Sequence, residues 1–86
     1  MDINELIAIV KKKLKDKINI EAIKIEDKSF LHKNHAGNQE GKFHLKIILK
    51  SNELKNISRI DSNKKVYKVL EKELKDSIHS LQILIS

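Results

Sequence analysis

The sequence has 86 residues, a formal net charge of +6 and no cysteine. This length allows one domain with a modest core, and we interpret residues 1–86 as that single domain. A chain without cysteine cannot itself supply disulfides, cysteine-ligated zinc or a thiol nucleophile. No apolar run approaches the length of a membrane span and the start does not resemble a signal peptide, so we expect a soluble, cytoplasmic protein with no membrane partner.

The positive charge comes almost entirely from lysine, because Arg59 is the only arginine. Arginine is the side chain that favours bidentate recognition of phosphates and guanine edges. The charge therefore predicts weak, salt-sensitive attraction to anionic partners rather than sequence-specific readout. A lysine-rich surface that is simply solvated accounts equally well for this composition, and both interpretations stay open at this point.

The first half of the chain predicts a helix, a strand and a long loop. Apolar residues recur at helical spacing over residues 3–16, and Asp2 stands where a helix cap is expected. Residues 22–27 alternate apolar and polar side chains, which predicts a strand. Residues 28–41 are polar and contain both glycines of the chain, so we predict a loop of the length that is often functional.

The next segment predicts a second strand and a short helical turn. Residues 43–50 alternate with a period of two, one face apolar and the other mixed. We expect this strand to pair with the first one as an antiparallel hairpin. Residues 51–58 are compatible with a short helical turn.

The last part of the chain predicts a long helix and a final strand. Asp61 or Ser62 is the expected cap of an amphipathic helix that continues to Lys75. Apolar alternation over residues 78–85 predicts the last strand. The fold class is therefore α+β, a two-layer αββααβ sandwich in which helices cover one face of a three-stranded sheet.

The order of these elements and five local motifs resemble the BolA family. In chain order the motifs are IEDKS, HKNHAG, FHLKIIL, SRIDSNKKVYKVLEKEL and SIHSLQI. They resemble, in turn, the end of the first strand, a histidine-bearing loop, the second strand, the long helix and the last strand of that family. The resemblance covers nearly the whole chain and implies a fold similar to the class II KH type found in nucleic-acid binders.

The resemblance implies a binding module that partners a monothiol glutaredoxin in iron–sulfur trafficking and iron regulation, either around a shared 2Fe-2S cluster or without one. Histidine can replace cysteine on a cluster iron, so this chain could share a cluster whose thiolates come from the partner and from glutathione. His32 and His35 in the loop are the candidate metal ligands, and His32 is favoured because it matches the family's loop ligand. Solvated loop imidazoles without a metal are the alternative.

One position departs from the family pattern. Most BolA proteins have an Arg-His-Arg triplet at the start of the long helix, where this chain has Ser62, Asn63 and Lys64. The family commonly uses that histidine as a cluster ligand, so the resemblance implies a more labile cluster here. This stretch is closer to the bacterial subset that lacks the triplet. We interpret Asn63 as a helix-start residue that satisfies backbone donors.

The other two histidines are interpreted as structural. His44 alternates away from Phe43 and Leu45 in the predicted second strand, and we expect it to hydrogen-bond across the hairpin. His79 opens the last strand.

A DNA-binding transcription regulator is the alternative function, because some bacterial BolA proteins act in this way. The residues that we predict to bind a partner or nucleic acid are Lys55, Arg59, Asn63, Lys64, Lys65 and Lys68. The same basic patch could instead steer an acidic glutaredoxin surface, and we expect one docking face formed by the long loop and the start of the long helix. The chain has no Gly-x-x-Gly loop before that helix, which argues against the RNA-binding version of the fold.

An enzyme is the class that the sequence favours least. It contains no nucleophile–base motif, no glycine-rich phosphate loop and no His-Glu-x-x-His pattern. Glu71 and Glu73 are interpreted as solvated side chains on a lysine-rich helix, with Glu71 paired to Lys75.

Overall fold

The computed structural model describes residues 2–29 and 42–86. The elements in chain order are α1 (Ile3–Lys17), β1 (Ala22–Asp27), β2 (Phe43–Lys50), α2 (Asn52–Lys55), α3 (Arg59–Val69), α4 (Glu71–Asp76) and β3 (Ile78–Ile85). The first helix, the short helical turn and all three strands confirm the predictions, whereas most of the predicted loop lies outside the described residues. None of the helices in the described ranges has the length and hydropathy that crossing a membrane requires.

The three strands form one mixed sheet with β2 at its centre. β1 runs antiparallel to β2, with Ile25 opposite Ile47, and β3 runs parallel to β2, with Ile83 opposite the same residue. Because side chains alternate across a strand, these three isoleucines share one face of the sheet. The sheet therefore confirms the predicted hairpin and places the last strand along the other side of β2.

The core lies between this apolar face and the helices. Its buried residues are Leu6, Val10, Leu14, Ile18, Leu45, Ile47, Leu49, Leu54, Val66, Leu70 and Ile78. Burial of a leucine or isoleucine side chain stabilises a fold by roughly 1.5–3 kcal/mol, so this cluster is the main source of stability. The opposite face of β2 carries Lys46, Ile48 and Lys50, none of which is fully buried. The helices thus cover one face of the sheet, which confirms the two-layer α+β architecture.

The long helix differs from its prediction at its start and by an interruption before its end. Its cap is Ser58, whose Oγ accepts the backbone N–H of Asp61 at 3.0 Å. Ser62 is buried inside α3, and its hydroxyl donates to the carbonyl of Arg59 at 2.9 Å, so it cannot act as a cap. The helix is also interrupted at Leu70, where φ −98° and ψ 17° separate α3 from α4.

Ser51 joins α2 to the end of α1. Its buried Oγ accepts the N–H of Leu54 at 3.2 Å and donates to the carbonyl of Asn19 at 2.7 Å. We expect Ser51→Ala to lower the free energy of unfolding by about 1–2 kcal/mol, because it removes a helix cap and a buried hydrogen bond together. Denaturant unfolding followed by circular dichroism measures this loss. Asn52→Ala, a change at the exposed neighbour, is the control and should stay within about 0.5 kcal/mol; equal losses would contradict the expectation.

Candidate functional site

His44 is buried at the start of β2, with 5% of its surface exposed. Its ring nitrogen Nδ1 lies 2.6 Å from Ser80 Oγ on β3, and its backbone N–H donates to Ser29 Oγ at 3.1 Å. The contact with Ser29 spans the β1–β2 hairpin, as expected for this histidine, and the ring also bonds to Ser80 on β3. Ser29, where the first described range ends, is therefore hydrogen-bonded to His44.

His79 is the exposed imidazole of the described part of the chain. The β2–β3 register shifts at this point, because Phe43 pairs with Ile78 whereas His44 pairs with Ser80. His79 is thus an extra residue in β3, and such bulges are common next to functional sites. Its ring packs edge-on against His44, with 4.9 Å between centroids and 60° between the planes. A partner can therefore reach the imidazole of His79, whose inner side packs against the buried ring of His44.

The described residues do not form a complete metal site. No group of three or more histidine, cysteine or carboxylate side chains close enough to hold a metal occurs within residues 2–29 and 42–86. His32 and His35 lie outside the described residues, so their assignment as ligands stays a prediction from the sequence. The chain has no thiolate, and the histidine pair of β2 and β3 can supply one accessible imidazole. This donor set is suited to supply one ligand of a cluster whose other ligands come from another molecule.

A groove beside the C-terminal half of β3 contains three of the predicted binding residues, Lys55, Arg59 and Asn63. Its volume is about 410 Å³. The described residues that line it are Leu54, Lys55, Ile57, Arg59, Ser62, Asn63, Ile83, Leu84 and Ile85. We call it the β3 groove. Asn63 lies in the second turn of α3, so the interpretation of this residue as a helix-start group was wrong.

A second groove, between α1 and α3, contains two more of the predicted residues, Lys65 and Lys68. Its volume is about 540 Å³, and it is lined by Lys13, Asp16, Lys17, Lys65, Lys68 and Val69. We call it the lysine groove. Two of these lysines are already paired, Lys13 with Glu73 at 2.6 Å and Lys65 with Glu53. The positive charge of this groove is therefore partly neutralised.

Glu73 is the carboxylate that the sequence misassigned. It is buried, with 6% of its surface exposed, and its ion pair with Lys13 fastens α4 to α1. The expected pair between Glu71 and Lys75 is absent from the ion pairs that the described residues form. The interpretation of Glu73 as solvated was wrong. Its carboxylate is buried against α1, a helix distant in the sequence, and pairs there with Lys13.

The predicted binding residues do not form a single face. Lys64 is exposed and lines neither groove, while the other five are divided between the β3 groove and the lysine groove. The start of α3 lies beside Ile83 and Ile85, whereas His79 and the strand ends flanking residues 30–41 lie at the other end of the sheet. At about 3.3 Å per residue, these ends of β3 are roughly 20 Å apart. The start of α3 is therefore distant from His79, whereas the loop part of the predicted docking face lies outside the described residues.

Glu53 connects Lys65 to the fold in a way that depends on pH. The Lys65 ammonium and the backbone N–H of Asn19 donate hydrogen bonds to this carboxylate, and they hold the pKa of Glu53 below its ordinary value of 4.5. Because the folded pKa is the lower one, the pair stabilises the fold above pH 4.5, and this contribution is lost as the pH falls through the folded pKa.

We therefore expect Glu53→Gln to lower the free energy of unfolding at neutral pH, and we expect its difference from the wild type to shrink in acid. Urea unfolding of both proteins over a series of pH values measures that difference. A difference that stays constant from neutral to strongly acid pH would contradict the expectation.

The three-stranded sheet with helices on one face defines a small α+β fold. The chain belongs to the BolA family: the family model described as BolA-like protein matches residues 14–86. This match confirms the resemblance that the five motifs indicated.

Individual relatives agree with this assignment. The chain is 29% identical over 75 residues to a protein of Haemophilus influenzae named DNA-binding transcriptional regulator BolA, and the match covers 87% of this chain and 70% of that protein. Its fold is similar to the BolA domain of SufE1 from Arabidopsis thaliana, with a TM-score of 0.76, 24% identity, and coverage of 92% of this chain and 87% of that one. BolA1 from the same plant has a TM-score of 0.75 and 23% identity, with coverage of 91% and 86%. The family and the relative's name indicate a regulator or binding module rather than an enzyme.

Proposed function

We propose that this BolA-family chain is a binding module that pairs with a monothiol glutaredoxin and contributes histidine to a shared 2Fe-2S cluster, in iron–sulfur trafficking and iron regulation. The observation that carries the proposal is the exposed imidazole of His79, packed edge-on against the buried His44. In the sequence, residues 30–41 with the candidate ligands His32 and His35 follow Ser29, whose Oγ accepts the backbone N–H of His44.

The chemistry of the donors supports a shared centre. Imidazole binds iron when it is neutral, and its ordinary pKa near 6.5 makes that form available at neutral pH. A 2Fe-2S cluster also needs thiolates, which a glutaredoxin cysteine and glutathione would supply because this chain has none. When bound, the cluster would act as cargo or as an iron signal that passes between the two proteins.

The surroundings of the histidine pair support a protein partner. Lys28 and Lys46 line a shallow depression of about 390 Å³ together with His44, Ser80 and Gln82. These two lysines lie beside His44, whose ring contacts the exposed His79, and Lys28 is also paired with Glu26 at 3.7 Å. The remaining positive charge favours a partner with acidic groups around its metal-binding residue. We define the histidine end of the sheet as Lys28, His44, Lys46, His79 and Ser80.

NMR titration of the ¹⁵N-labelled chain with a monothiol glutaredoxin tests the proposal, with and without a reconstituted cluster. We expect amide shifts at the histidine end of the sheet, larger when the cluster is present. The amides of Ile83 and Ile85 provide the internal control, since they lie at the other end of β3. Shifts confined to that other end, or no saturable binding, would contradict the proposal.

A DNA-binding regulator is the second candidate, and the lysine groove is the observation that favours it. Lys13, Lys17, Lys65 and Lys68 converge there from two helices, and the relative from Haemophilus influenzae carries DNA binding in its name. Lysine contacts to phosphates would give affinity that falls steeply with salt.

Duplex DNA binding measured over a range of salt concentrations tests this candidate. We expect the double variant Lys17→Ala with Lys68→Ala to reduce the slope of log affinity against log salt by about 2, one unit for each lost phosphate contact. The matched control is Lys24→Ala with Lys50→Ala, which removes the same charge from the sheet's other face. An equal reduction in both variants would indicate attraction to net charge alone.

A further inference from the structure

On the outer edge of β3, the backbone groups of Ile83 and Ile85 have no partner among the described residues. β3 pairs with β2 alone among the described strands. Ser86, just after β3, points its N–H and C=O towards the β2 side, since it donates to Leu49 O at 2.8 Å and accepts from Ser51 N at 3.2 Å. Because backbone groups alternate sides along a strand, those of Ile83 and Ile85 point away from β2. The Tyr67 hydroxyl, which donates to Leu81 O at 3.4 Å, occupies the same outer side.

The β3 groove runs along this edge. Ile83, Leu84 and Ile85 are consecutive residues whose side chains alternate between the two faces, yet all three line the groove. Three successive residues can share one groove only where it follows the strand's edge. The opposite wall is formed by α2, the turn after it and the start of α3, so the groove leaves room for one extended chain beside the strand.

The lining of the groove indicates the chemistry of its occupant. Lys55 and Arg59 lie along it, neither forms an ion pair with another described residue, and no carboxylate from residues 2–29 or 42–86 lines it. The nearest acid of α2, Glu53, is bound to Lys65. The apolar part includes Ile57, which is 41% exposed, and Leu84, which is 39% exposed. Cations next to exposed apolar side chains match a peptide in which acidic and apolar residues alternate, rather than a uniformly charged phosphate backbone.

We propose that the β3 groove binds an extended segment of a partner protein, with alternating acidic and apolar residues, as a fourth strand of the sheet. The segment hydrogen-bonds to the outward backbone groups of Ile83 and Ile85, rests its apolar side chains against Ile57, and places its carboxylates beside Lys55 and Arg59. This surface lies at the opposite end of β3 from His79, so it acts independently of the proposed metal-sharing end.

The full chain, labelled with ¹⁵N, is titrated with a short synthetic peptide in which valine and glutamate alternate. We expect saturable shifts at Ile83 and Ile85 and slower hydrogen exchange of their amides, because outward N–H groups become paired. A matched peptide with a methyl group on every backbone nitrogen keeps every side chain but has no N–H to donate to a strand ladder. We expect this peptide to bind at least about tenfold more weakly.

Charge reversal in the groove provides the second part of the test. Lys55→Glu with Arg59→Glu should weaken peptide binding by about tenfold or more, whereas Lys24→Glu with Lys64→Glu, outside the groove, should change it by less than about twofold. Neither variant should alter the glutaredoxin-induced shifts at the histidine end of the sheet. Equal binding of the methylated peptide, absence of peptide binding, or shifts of the same amides by duplex DNA alone would overturn the proposal.

Discussion

Replacing His79 with alanine is expected to remove most of the visible absorption of a heterocomplex reconstituted with a monothiol glutaredoxin, iron, sulfide and glutathione. The imidazole is exposed and supported by His44, and we propose it as a direct ligand. Even changes in residues that only orient a ligand lower metal affinity by about 10–100-fold, so loss of the ligand itself should be at least as severe. Absorption spectra and the rate of cluster loss to a chelator measure the effect.

Two controls separate ligation from folding. Gln82→Ala changes another exposed residue of β3 and should retain the cluster. Because His79 is exposed, its replacement should alter the free energy of unfolding by no more than about 0.5 kcal/mol. The pair His32→Ala with His35→Ala tests the loop ligands, and we expect it to weaken the cluster as well. If the complex retained its full colour in both histidine variants, the sharing of imidazole would be contradicted.

Replacing Ile47 with alanine is expected to give the largest loss of stability among single changes in the sheet. Ile47 is fully buried in the central strand, flanked by Ile25 on β1 and Ile83 on β3. Truncating a core isoleucine removes transfer free energy and leaves a cavity, so we expect a loss of about 2–5 kcal/mol. A small domain has little stability in reserve, and this variant should be partly unfolded near its working temperature.

Ile48 is the matched control, because it is the same residue type one position along the same strand. It faces the side of the sheet that the helices do not cover and is only partly buried. We expect Ile48→Ala to cost about 1 kcal/mol or less in urea unfolding. Equal losses at the two positions would contradict the assignment of the core to the Ile47 face.

The sequence was most informative where a regular period persists over many residues. Alternation in residues 22–27, 43–50 and 78–85 predicted three strands whose observed bounds are the same. A strand that buries one face needs that alternation, since a shift of one residue would expose the core. The parallel pairing of the last strand with β2 was not predicted, because periodicity alone does not determine strand order.

The start of the long helix shows where local signals failed. Ser58, Asp61 and Ser62 are all capping residue types within a few positions, and the sequence offers no means of choosing among them. The choice depends on burial: Ser62 faces the core side of α3, which leaves Ser58 as the cap. The burial of Glu73 also depends on tertiary contacts and was not predicted, because its partner Lys13 is 60 residues away in the sequence.

The candidate site was predicted only in part. The histidines were visible in the sequence. Their different exposure depends on a register shift between β2 and β3, which leaves His79 exposed and His44 buried. A bulge has no signature in the pattern of residues 78–85, so both were interpreted as structural. The lysines around the long helix were also named in advance, whereas their division between the β3 groove and the lysine groove depends on which face of its helix each residue occupies.

Pulsed EPR on the reduced heterocomplex tests the central claim most directly, with this chain labelled with ¹⁵N and the glutaredoxin and glutathione unlabelled. We predict a ¹⁵N hyperfine coupling of the strength typical of an imidazole bound to iron, and its loss in a complex whose chain carries alanine at His79, His32 and His35. A spectrum whose only nitrogen couplings are weak or come from the unlabelled partner would show that this chain gives no ligand to the cluster.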